Sequence, residues 1–478
     1  MTTRLGAAMP TSIARRLAAH LQRADGQEEC CFVLWHPATA ALRLTTLVVD
    51  IVLPGDDERI VHGNVSFTSE YFLRAGAIAA ERGCGMGLIH SHPLGCGWQS
   101  LSRDDYVAEA SFAAQAMALT GRPLLGMTYA GKDGGYSARL WPERTPSECH
   151  LVEGESVRVV GDQFTVTFNN RLKPAPAAVA TQARTVSAWG QGNQDVLARL
   201  NVGVIGNGSV GMIVVEALAR TGVGKLTLLD VDSVETVNLD RLLHATQADA
   251  DARRAKVELA EEAARRAATC PRFEVIAKPL SIVEPDGYAL AADCDILFSC
   301  VDRPWPRQAM NMLAYTHLVP VVDGGVRADA TGGTFHGAEW RGHVAAPGRA
   351  CLECLGQYDP TDVALERSGL LEDADYIAGL PEEHHLRRKE NVFIFSTAAA
   401  SAQLNQFITM ITAPSGIADT GAHLFHLATG TVDRIEDGCK PGCPYSGELL
   451  LLGDTAPPVT GQDHAAELAR APRRQSAV

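Results

Sequence analysis

The sequence predicts an α/β protein in which a doubly wound, Rossmann-like domain follows a smaller α/β domain. Short apolar runs typical of buried strands alternate with helical segments between residues 201 and 322, which is the order expected of a parallel sheet covered by helices. A glycine-rich turn follows the first of these strands, where such folds bind phosphate groups. With 478 residues, the chain is long enough for two or three domains with separate cores.

Four consecutive segments are predicted along the chain. Residues 1–150 alternate short apolar runs with turns and include a helix near Ser69–Arg82, which indicates a compact α/β domain. Residues 151–183 indicate a short β element and a proline-containing linker. Residues 184–452 hold the Rossmann-like domain, and residues 453–478, rich in alanine, proline and charge, are expected to be disordered.

Composition limits the partners and the compartment. The formal net charge of −14 argues against nucleic acid or an anionic membrane as the main partner. No apolar run approaches the roughly 18 residues that a membrane-spanning helix needs, so no transmembrane helix is expected. The arginine-rich segment Thr11–Arg23 lacks an apolar cleavage region and predicts a first amphipathic helix instead of a transit peptide. Twelve cysteines, several of them alone in apolar strands, suit a reducing compartment, and we expect a cytoplasmic protein.

The centre of the second domain is a predicted strand, glycine turn and helix. Asn201–Ile205 has the pattern of a buried strand and Met212–Arg220 that of a helix. A second apolar strand ends at Asp230, about 20 residues past the turn, where dinucleotide folds place the carboxylate that binds ribose hydroxyls. Alone, this pattern fits many nucleotides. The glycines predicted to make room for phosphate are Gly206, Gly208 and Gly211.

The polar residues that follow favour ATP over NAD. ATP carries about four negative charges, so its site needs several cations and a metal-binding carboxylate, whereas a nicotinamide site needs only the turn and Asp230. The alternative is a Rossmann-like sheet in which these side chains merely cap helices. The residues concerned are Asp232, Asn238, Arg241, Lys256, Asp302 and Arg307.

This set of residues resembles the ThiF/MoeB/HesA superfamily, the ATP-dependent activators of ubiquitin-like proteins and sulfur carriers. The resemblance implies that Asp230 binds ribose, while Arg241 and Lys256 hold the triphosphate. It also implies that Asp302 holds magnesium. Arg307 would join these residues in stabilising the charge that develops on the phosphates.

The segment before the first strand resembles the superfamily's lead-in, with Arg184, the pair Trp189-Gly190 and Gln194. In that superfamily the matching arginine reaches into the ATP site, often from the neighbouring subunit. The resemblance therefore implies that Arg184 contacts the nucleotide and that the chain forms a homodimer. The alternative is a surface arginine at the start of a helix.

Two cysteine pairs late in the chain predict a zinc site. Cys351 and Cys354 form one pair, and Cys439 and Cys443 form the other. Four thiolates make a closed, structural zinc site, and the superfamily carries one in matching places; a redox pair is the alternative. Between the pairs, Tyr358–Asn391 is a predicted crossover loop. It contains no cysteine, although many ubiquitin activators form a thioester there, so the chain either stops at the acyl-adenylate or uses another thiol.

A motif in the first domain predicts a second metal site. His90 and His92 alternate on an extended segment and so point to the same side, where both imidazoles reach one metal. Asp105 would be the third ligand and would leave a fourth position for water, which zinc acidifies for attack on a carbonyl. Ser102 with Asp105 also fits a helix N-cap, and surface histidines on a turn are the alternative.

The order His-x-His-Pro followed by Ser-x-x-Asp resembles the JAB/MPN metallopeptidases, which cleave ubiquitin-like proteins from conjugates or trim their tails. That family needs a glutamate base near the start of its first strand, which Glu29 matches, with Glu28 as the adjacent alternative. Ser102 would help to stabilise the oxyanion. Nine residues separate His92 from Ser102, more than is usual there, so Gly95–Trp98 is predicted to form a longer loop. A domain that has lost catalysis is the alternative.

These resemblances imply a bacterial-type activator of a ubiquitin-like protein with a built-in JAB peptidase domain, using ATP, Mg²⁺ and Zn²⁺. It would adenylate the C-terminal glycine of its partner and work with a ubiquitin-conjugating-type enzyme. Such combinations resemble bacterial conjugation systems, some of them implicated in antiviral defence. One alternative is a sulfur-carrier activator in cofactor biosynthesis, where a persulfide attacks the adenylate. Another is a scaffold that binds nucleotide without turnover.

Overall fold

The computed structural model describes residues 3–62, 64–145, 148–380 and 390–476. The chain folds into two units. The first holds the residues up to Pro174 together with Thr316–Leu318 and Leu451–Ala456, and the second holds the remainder. Within the described ranges, no helix is both long and apolar enough to cross a membrane.

The first unit is built on a mixed sheet. Its strands are β1 (Arg4–Pro10), β2 (Cys30–Thr39), β3 (Arg43–Val52), β4 (Arg59–His62), β5 (Asn64–Phe67), β6 (Gly85–His92), β7 (Leu124–Ala130), β8 (Tyr136–Trp141), β9 (Glu143–Thr145), β10 (Glu148–Cys149), β11 (Val152–Glu153), β12 (Ser156–Val160) and β13 (Phe164–Phe168). Its helices are α1 (Thr11–Leu21), α2 (Ser69–Glu81) and α3 (Arg103–Thr120). The large sheet has the order β11-β8-β7-β6-β2-β3-β1-β12-β13, and β4-β5 and β9-β10 form separate two-stranded sheets.

The helices of the first unit pack their apolar side chains against its core. α1 buries Ile13, Leu17 and Leu21 along one stripe, as the amphipathic pattern predicts. α2 and α3 contribute Tyr71 and Ala113 to a core that also contains Phe32 of β2. The α/β character predicted for residues 1–150 is therefore present.

The first unit extends past the boundary predicted at residue 150. β12 pairs in parallel with β1, and β13 pairs with β12 in the antiparallel sense. Both strands carry buried side chains, including Val157 and Phe164. The β element predicted within residues 151–183 exists, but it completes the first sheet beside β1, and the first continuous stretch of the unit runs to Pro174.

The second unit is a doubly wound sheet with helices around it. Its strands are β14 (Asn201–Ile205), β15 (Lys225–Leu229), β16 (Glu274–Lys278), β17 (Ile296–Ser299), β18 (Val321–Asp329), β19 (Gly337–Ala345), β20 (Ala422–His426) and β21 (Thr431–Ile435). Its helices are α4 (Ala183–Leu197), α5 (Ser209–Thr221), α6 (Gln247–Asp251), α7 (Lys256–Ala267), α8 (Pro285–Ala292), α9 (Pro304–Thr316), α10 (Pro360–Arg367), α11 (Ala374–Gly379), α12 (Phe393–Thr412) and α13 (His464–Ser476).

The strand order of this sheet reverses at β14. The order is β16-β15-β14-β17-β18-β19-β20-β21, with parallel pairs from β16 to β18 and antiparallel pairs beyond. The chain moves outward from β14 to β16 and then returns to place β17 on the other side of β14. Ligands of such sheets bind at the carboxyl ends of the strands at this reversal, next to the glycine turn after β14.

The disorder predicted for residues 453–478 is wrong over the described part of this segment. Asp454 accepts hydrogen bonds from the amide and hydroxyl of Thr39 at 2.6 and 2.7 Å. From His464 to Ser476 the segment forms α13, where Ala466 is buried and Arg470 pairs with Glu284 at 2.5 Å. Alanine and charge indicate disorder by composition alone, but here they give a helix with one apolar face and an ion pair.

The crossover region between the cysteine pairs is only partly described. α10 and α11 occupy its first half, and Asn391 begins the return to α12. Residues 381–389 of the predicted crossover loop lie outside the described residues.

Candidate functional site

The glycine turn that joins β14 to α5 requires glycine at two positions. Gly206 has a φ of +86°, and a Cβ there would lie 2.6 Å from the carbonyl oxygen of Cys300. A Cβ on Gly211 would lie 1.9 Å from the carbonyl oxygen of Gly206. Gly208 instead faces open space, which leaves the N-terminus of α5 accessible to an anion.

Asp230 lies at the carboxyl end of β15 and is hydrogen-bonded to the turn. Its carboxylate accepts the backbone amides of Asn207 at 2.5 Å and of Asp232 at 2.7 Å. Burial, and then the negative charge of Asp232, raises the pKa of Asp230 to about 6. Oδ1 of Asn207 is buried without a hydrogen-bond partner among the described residues, so an acceptor beside the turn is still available.

Lys256 brings a positive charge to this edge of the sheet. Its Nζ lies 2.8 Å from Oδ2 of Asp232. Burial lowers the pKa of Lys256, but the negative charges of Asp230, Asp232 and Asp302 outweigh it and raise the pKa above its usual value. Asp302 is exposed just after β17. These four predicted residues thus act on one another at the reversal of the strand order.

Two other predicted residues are held by the loop that follows β15. The side chain of Asn238 accepts the amide of Glu235 at 3.1 Å and caps a short 3-10 turn. Arg241 donates to the carbonyl oxygen of Val237 and to the carboxylate of Asp240, both at 2.7 Å. A contact of Arg241 with a triphosphate therefore requires its guanidinium to leave these partners.

Arg307 binds a buried carboxylate, which argues against its predicted role at the phosphates. Its Nε lies 3.2 Å from one oxygen of Asp323, and Nη2 of Arg341 lies 3.4 Å from the other. Although burial opposes ionisation of Asp323, the two arginines lower the pKa of this carboxyl below its usual value. Arg307 therefore forms an ion pair with a buried carboxylate inside the unit, and its role at the phosphates stays a prediction.

Arg184 is exposed on the first turn of α4. Further along this helix Gln194 is buried; its side chain accepts Nε1 of Trp189 at 3.1 Å and donates to the carbonyl oxygen of Thr221 at 3.1 Å. The helix is interrupted at Gly190, where φ is +84°. The exposed position of Arg184 agrees with a surface residue and leaves a contact with a second copy as a proposal.

The sequence patterns did not predict a group of polar side chains that meet at the N-terminus of α5. Nδ2 of Asn391 and Oγ of Ser396 each lie 3.0 Å from Oγ of Ser209, and Ser396 donates to Oδ1 of Asn391 at 2.9 Å. The chain thus returns to the N-terminus of α5 after the crossover region. No local motif marks this contact, because the partners of Ser209 lie 182 and 187 residues away in sequence.

The crossover region is also attached to the residues that follow Asp302. Arg303 pairs with Glu372 at 2.5 Å and with Glu366 at 3.4 Å. Glu366 accepts the amide of Trp305 at 2.7 Å, and burial raises its pKa to about 7. A carboxylate from α10 therefore holds the first turn of α9, directly beyond Asp302.

The four late cysteines converge. Their sulfur atoms all lie within 4.8 Å of one another. The backbone amides of Cys354 and Lys440 point at Sγ of Cys351 and Cys354, both at 3.3 Å, which is the arrangement that stabilises thiolates. Four sulfurs at this spacing fit a tetrahedral zinc ion. The structure thus brings together Cys351, Cys354, Cys439 and Cys443, as the spacing predicts.

The predicted metal ligands of the first unit also converge. Nε2 of His90 lies 3.2 Å from Nε2 of His92. The carboxylate oxygens of Asp105 lie 3.6 Å from His90 and 3.7 Å from His92. Nδ1 of His92 lies 3.3 Å from Oε1 of Gln99, a contact that orients the ring. Two imidazoles and a carboxylate in this arrangement fit a zinc ion with an open fourth position.

Glu29, the predicted general base, lies on the face of the sheet away from the two histidines. Its carboxylate is buried and pairs with Arg23 and Arg59, both at 3.0 Å. Since Cys30 lies opposite His90, the neighbouring Glu29 lies opposite Ser91, on the face away from the histidines. The register therefore places Glu28, the adjacent alternative, on the same face as the histidines. Its charge contributes, after Asp105 and Gln99, to raising the pKa of the His92 imidazole.

Ser102 has the structural role that its pattern also predicts. It caps α3, with its Oγ accepting the amide of Asp105 at 3.1 Å. In return its own amide donates to Oδ2 of Asp105 at 3.0 Å. This capping box fixes the carboxylate that faces the two histidines.

Residues 179–443 match the ThiF family, and this range is more than half of the chain. The chain therefore belongs to the ThiF family.

Similar proteins cover parts of the chain. Ubiquitin-like modifier-activating enzyme 5 of Xenopus laevis is 30% identical over 174 residues, which are 34% of this chain and 41% of that protein. Molybdopterin-synthase adenylyltransferase of Escherichia coli (strain K12) is 33% identical over 132 residues, 27% of this chain and 51% of that protein. The chain thus spans about half, or less, of these curated relatives. The crystal structure of E. coli MccB with ATP aligns with a TM-score of 0.43 at 20% identity, covering 56% of this chain and 75% of that one.

Proposed function

We propose that the second unit is an ATP-dependent adenylyltransferase that activates the C-terminal glycine of a ubiquitin-like protein or a sulfur carrier. The observation that carries the proposal is the cluster of Asp230, Asp232, Lys256 and Asp302 around a glycine turn open to an anion. Membership of the ThiF family and the names of the similar enzymes support the same class of reaction.

In the proposed reaction, a carboxylate oxygen of the C-terminal glycine attacks the α-phosphorus of ATP. The bond from that phosphorus to the oxygen bridging to the β-phosphate breaks, and pyrophosphate leaves. Magnesium, held by Asp302, would supply charge neutralisation for the phosphates. Asp230 would accept ribose hydroxyls, and Lys256 would place its positive charge on the phosphates, exchanging its contact with Asp232 for them.

Two finer points belong to the same proposal. Arg241 would swing from Asp240 to the triphosphate, and Arg184 would contact the nucleotide across a homodimer. The segment between Cys354 and Cys439 contains no cysteine. This favours release of the acyl-adenylate to a partner, either a ubiquitin-conjugating-type enzyme or, in the sulfur-carrier alternative, a persulfide.

For the first unit we propose a zinc metallopeptidase of the JAB/MPN type that acts on a ubiquitin-like protein or its conjugate. The convergence of His90, His92 and Asp105 supports this proposal. Zinc held there would supply a Lewis acid for hydrolysis. Glu28 would take the proton from water as the general base, and the capping box of Ser102 would keep Asp105 in place.

The test of the adenylyltransferase is ATP-pyrophosphate exchange with magnesium and a candidate ubiquitin-like protein that ends in glycine. Asp302→Asn and Lys256→Ala should each lower the exchange rate by about 100-fold or more, the usual effect of removing an electrostatic contact from such a site. Asp286→Asn changes an exposed carboxylate in the first turn of α8 and is the matched control. Undiminished exchange in Asp302→Asn and Lys256→Ala would contradict the proposed site.

A further inference from the structure

A cavity lies beside the proposed metal site of the first unit, and the long loop between His92 and Ser102 forms part of its wall. Its volume of about 320 Å³ is that of a small-ligand pocket. Gln99 and Ser102 line it. Since Gln99 contacts the ring of His92 and Ser102 holds the carboxylate of Asp105, the cavity adjoins two of the three proposed ligands.

The loop wall is held in place on both sides. The amide of Gly97 donates to Oδ2 of Asp133 at 2.7 Å. The ring of Trp98 passes over Gly154, where an added Cβ would lie 3.4 Å from the ring. The loop that is longer than usual in JAB/MPN sequences therefore presents a fixed aromatic surface to the cavity.

The lining carries an excess positive charge. Three arginines line the cavity with one carboxylate, that of Glu153. Glu153 pairs with Arg171, and the buried Glu109 accepts Nε of Arg139 at 2.8 Å. The guanidinium of Arg103 forms no ion pair with any residue of the described ranges, so one positive charge is left over.

The position of Arg103 is not explained by the stability of its helix. Arg103 is the first residue of α3, where the partial positive charge of the helix N-terminus disfavours a cation. Asp104 and Asp105, which the helix favours there, follow it. A ligand with a negative charge would account for a cation at this rim of the cavity.

We propose that this cavity is a subsite for an acidic side chain of the polypeptide that the first unit binds. The carboxylate would accept hydrogen bonds from Arg103, and the methylenes of the side chain would pack on the rings of Trp98 and Tyr106. The proposal rests on the proposed peptidase function for the choice of a polypeptide as the ligand. It places an acidic residue next to the scissile bond, where a lysine would face the charge of Arg103.

The test measures binding separately from cleavage. The Glu28→Gln variant of this 478-residue chain keeps the three proposed metal ligands and lacks the proposed base. It is titrated by fluorescence anisotropy with labelled peptides that carry Gly-Gly followed by Glu, Gln or Lys. We expect the Glu peptide to bind about tenfold more tightly than the Lys peptide, the effect of one charge-assisted contact. Adding Arg103→Glu should reverse the order, and adding Trp98→Ala should weaken all three peptides.

Arg144→Glu, a matched charge change on the exposed strand β9, should leave the order unchanged. Equal affinity for the Glu and Lys peptides, an order unaffected by Arg103→Glu, or no binding of any peptide overturns the subsite. Cleavage of the same peptides is followed with the unaltered chain. Peptides that are bound in the expected order but not cut would remove the proposed peptidase function and leave the subsite standing.

Discussion

Ser91 of β6 donates its backbone amide at 2.9 Å to the carbonyl oxygen of Glu29, which directly precedes the neighbouring strand β2, so the two residues lie opposite each other. Opposite residues share a face and successive residues alternate, so Glu29 lies on one face with Ser91, and His90 and His92 lie on the other. A register difference of one residue therefore decides which glutamate faces the proposed metal site.

The first prediction separates the two glutamates. Glu28→Gln should abolish peptide cleavage while keeping zinc and the unfolding midpoint, because it removes only a proposed base. Glu29→Gln should keep some cleavage but lower the free energy of unfolding by roughly 3 kcal/mol, because Arg23 and Arg59 lose a buried partner. Cleavage is measured by the intact mass of the products, and stability is measured by unfolding in guanidinium chloride. The opposite pattern would restore Glu29 as the base.

Much of the fold is predictable from local pattern. The strand, turn and helix around Gly206 are fixed by side chains within a short stretch, and the structure has β14 and α5 there. The cysteine pairs and the His-x-His motif are likewise local, and both sets of side chains converge. Local spacing was sufficient to identify the two histidines and each cysteine pair, although the two pairs come together from distant segments: Cys351 and Cys443 lie 92 residues apart in sequence.

Contacts between distant segments were not predictable in the same way. Asp323 lies in an apolar strand, and nothing near it in sequence indicates that it takes Arg307 as a partner. The pairing of β12 with β1 and the contact of Asp454 with Thr39 depend on the tertiary arrangement of segments far apart in the chain. For this reason the predicted boundary at residue 150 lies before the strands that complete the first sheet, and the disorder predicted for residues 453–478 is absent from the described part of that segment, where α13 forms.

The second prediction concerns zinc. We expect two zinc ions per chain, one at each proposed site. The double variant Cys351→Ser/Cys354→Ser should lose one of them and unfold at a lower temperature, because structural metal binding contributes to folding energy. His92→Ala should lose the other zinc ion and keep exchange activity.

Elemental analysis of purified protein and thermal unfolding measure these effects. Cys270→Ser, at a buried cysteine outside both sites, is the matched control and should keep both ions. Unchanged zinc content in the double cysteine variant would favour the redox alternative for these thiols.

The third prediction tests the buried charges around Asp323. Asp323→Ala leaves the guanidinium groups of Arg307 and Arg341 without their shared carboxylate, and breaking such a pair typically costs about 3–5 kcal/mol. The midpoint of denaturant unfolding should fall accordingly. Asp286→Ala, at an exposed position, should change it little. A midpoint unaffected by Asp323→Ala would mean that the arginines find other partners, and would reopen a phosphate role for Arg307.

The last prediction follows from the pKa of Asp230, which burial and then Asp232 raise to about 6. The folded value lies above the ordinary value of about 4, so this carboxyl favours the folded state below pH ~4, and the contribution is lost as the pH rises through 6. The pH dependence of ligand binding has the opposite sign to that of folding stability. The ionised carboxylate accepts ribose hydroxyls on both oxygens, whereas the protonated form does not. Adenosine affinity should therefore weaken below pH 6, by about tenfold for each pH unit.

Adenosine is the probe because its ribose binds without phosphates that titrate in the same range. Calorimetric titrations between about pH 5 and 8 should show the loss in the unaltered chain, while Asp230→Asn should bind weakly and nearly independently of pH. Asp232 and Lys256 face the same carboxyl, so Lys256→Met should move the midpoint to higher pH by removing a charge that favours ionisation. A pH profile that is the same in Asp230→Asn as in the unaltered chain would show that another group controls binding and would remove Asp230 as the ribose ligand.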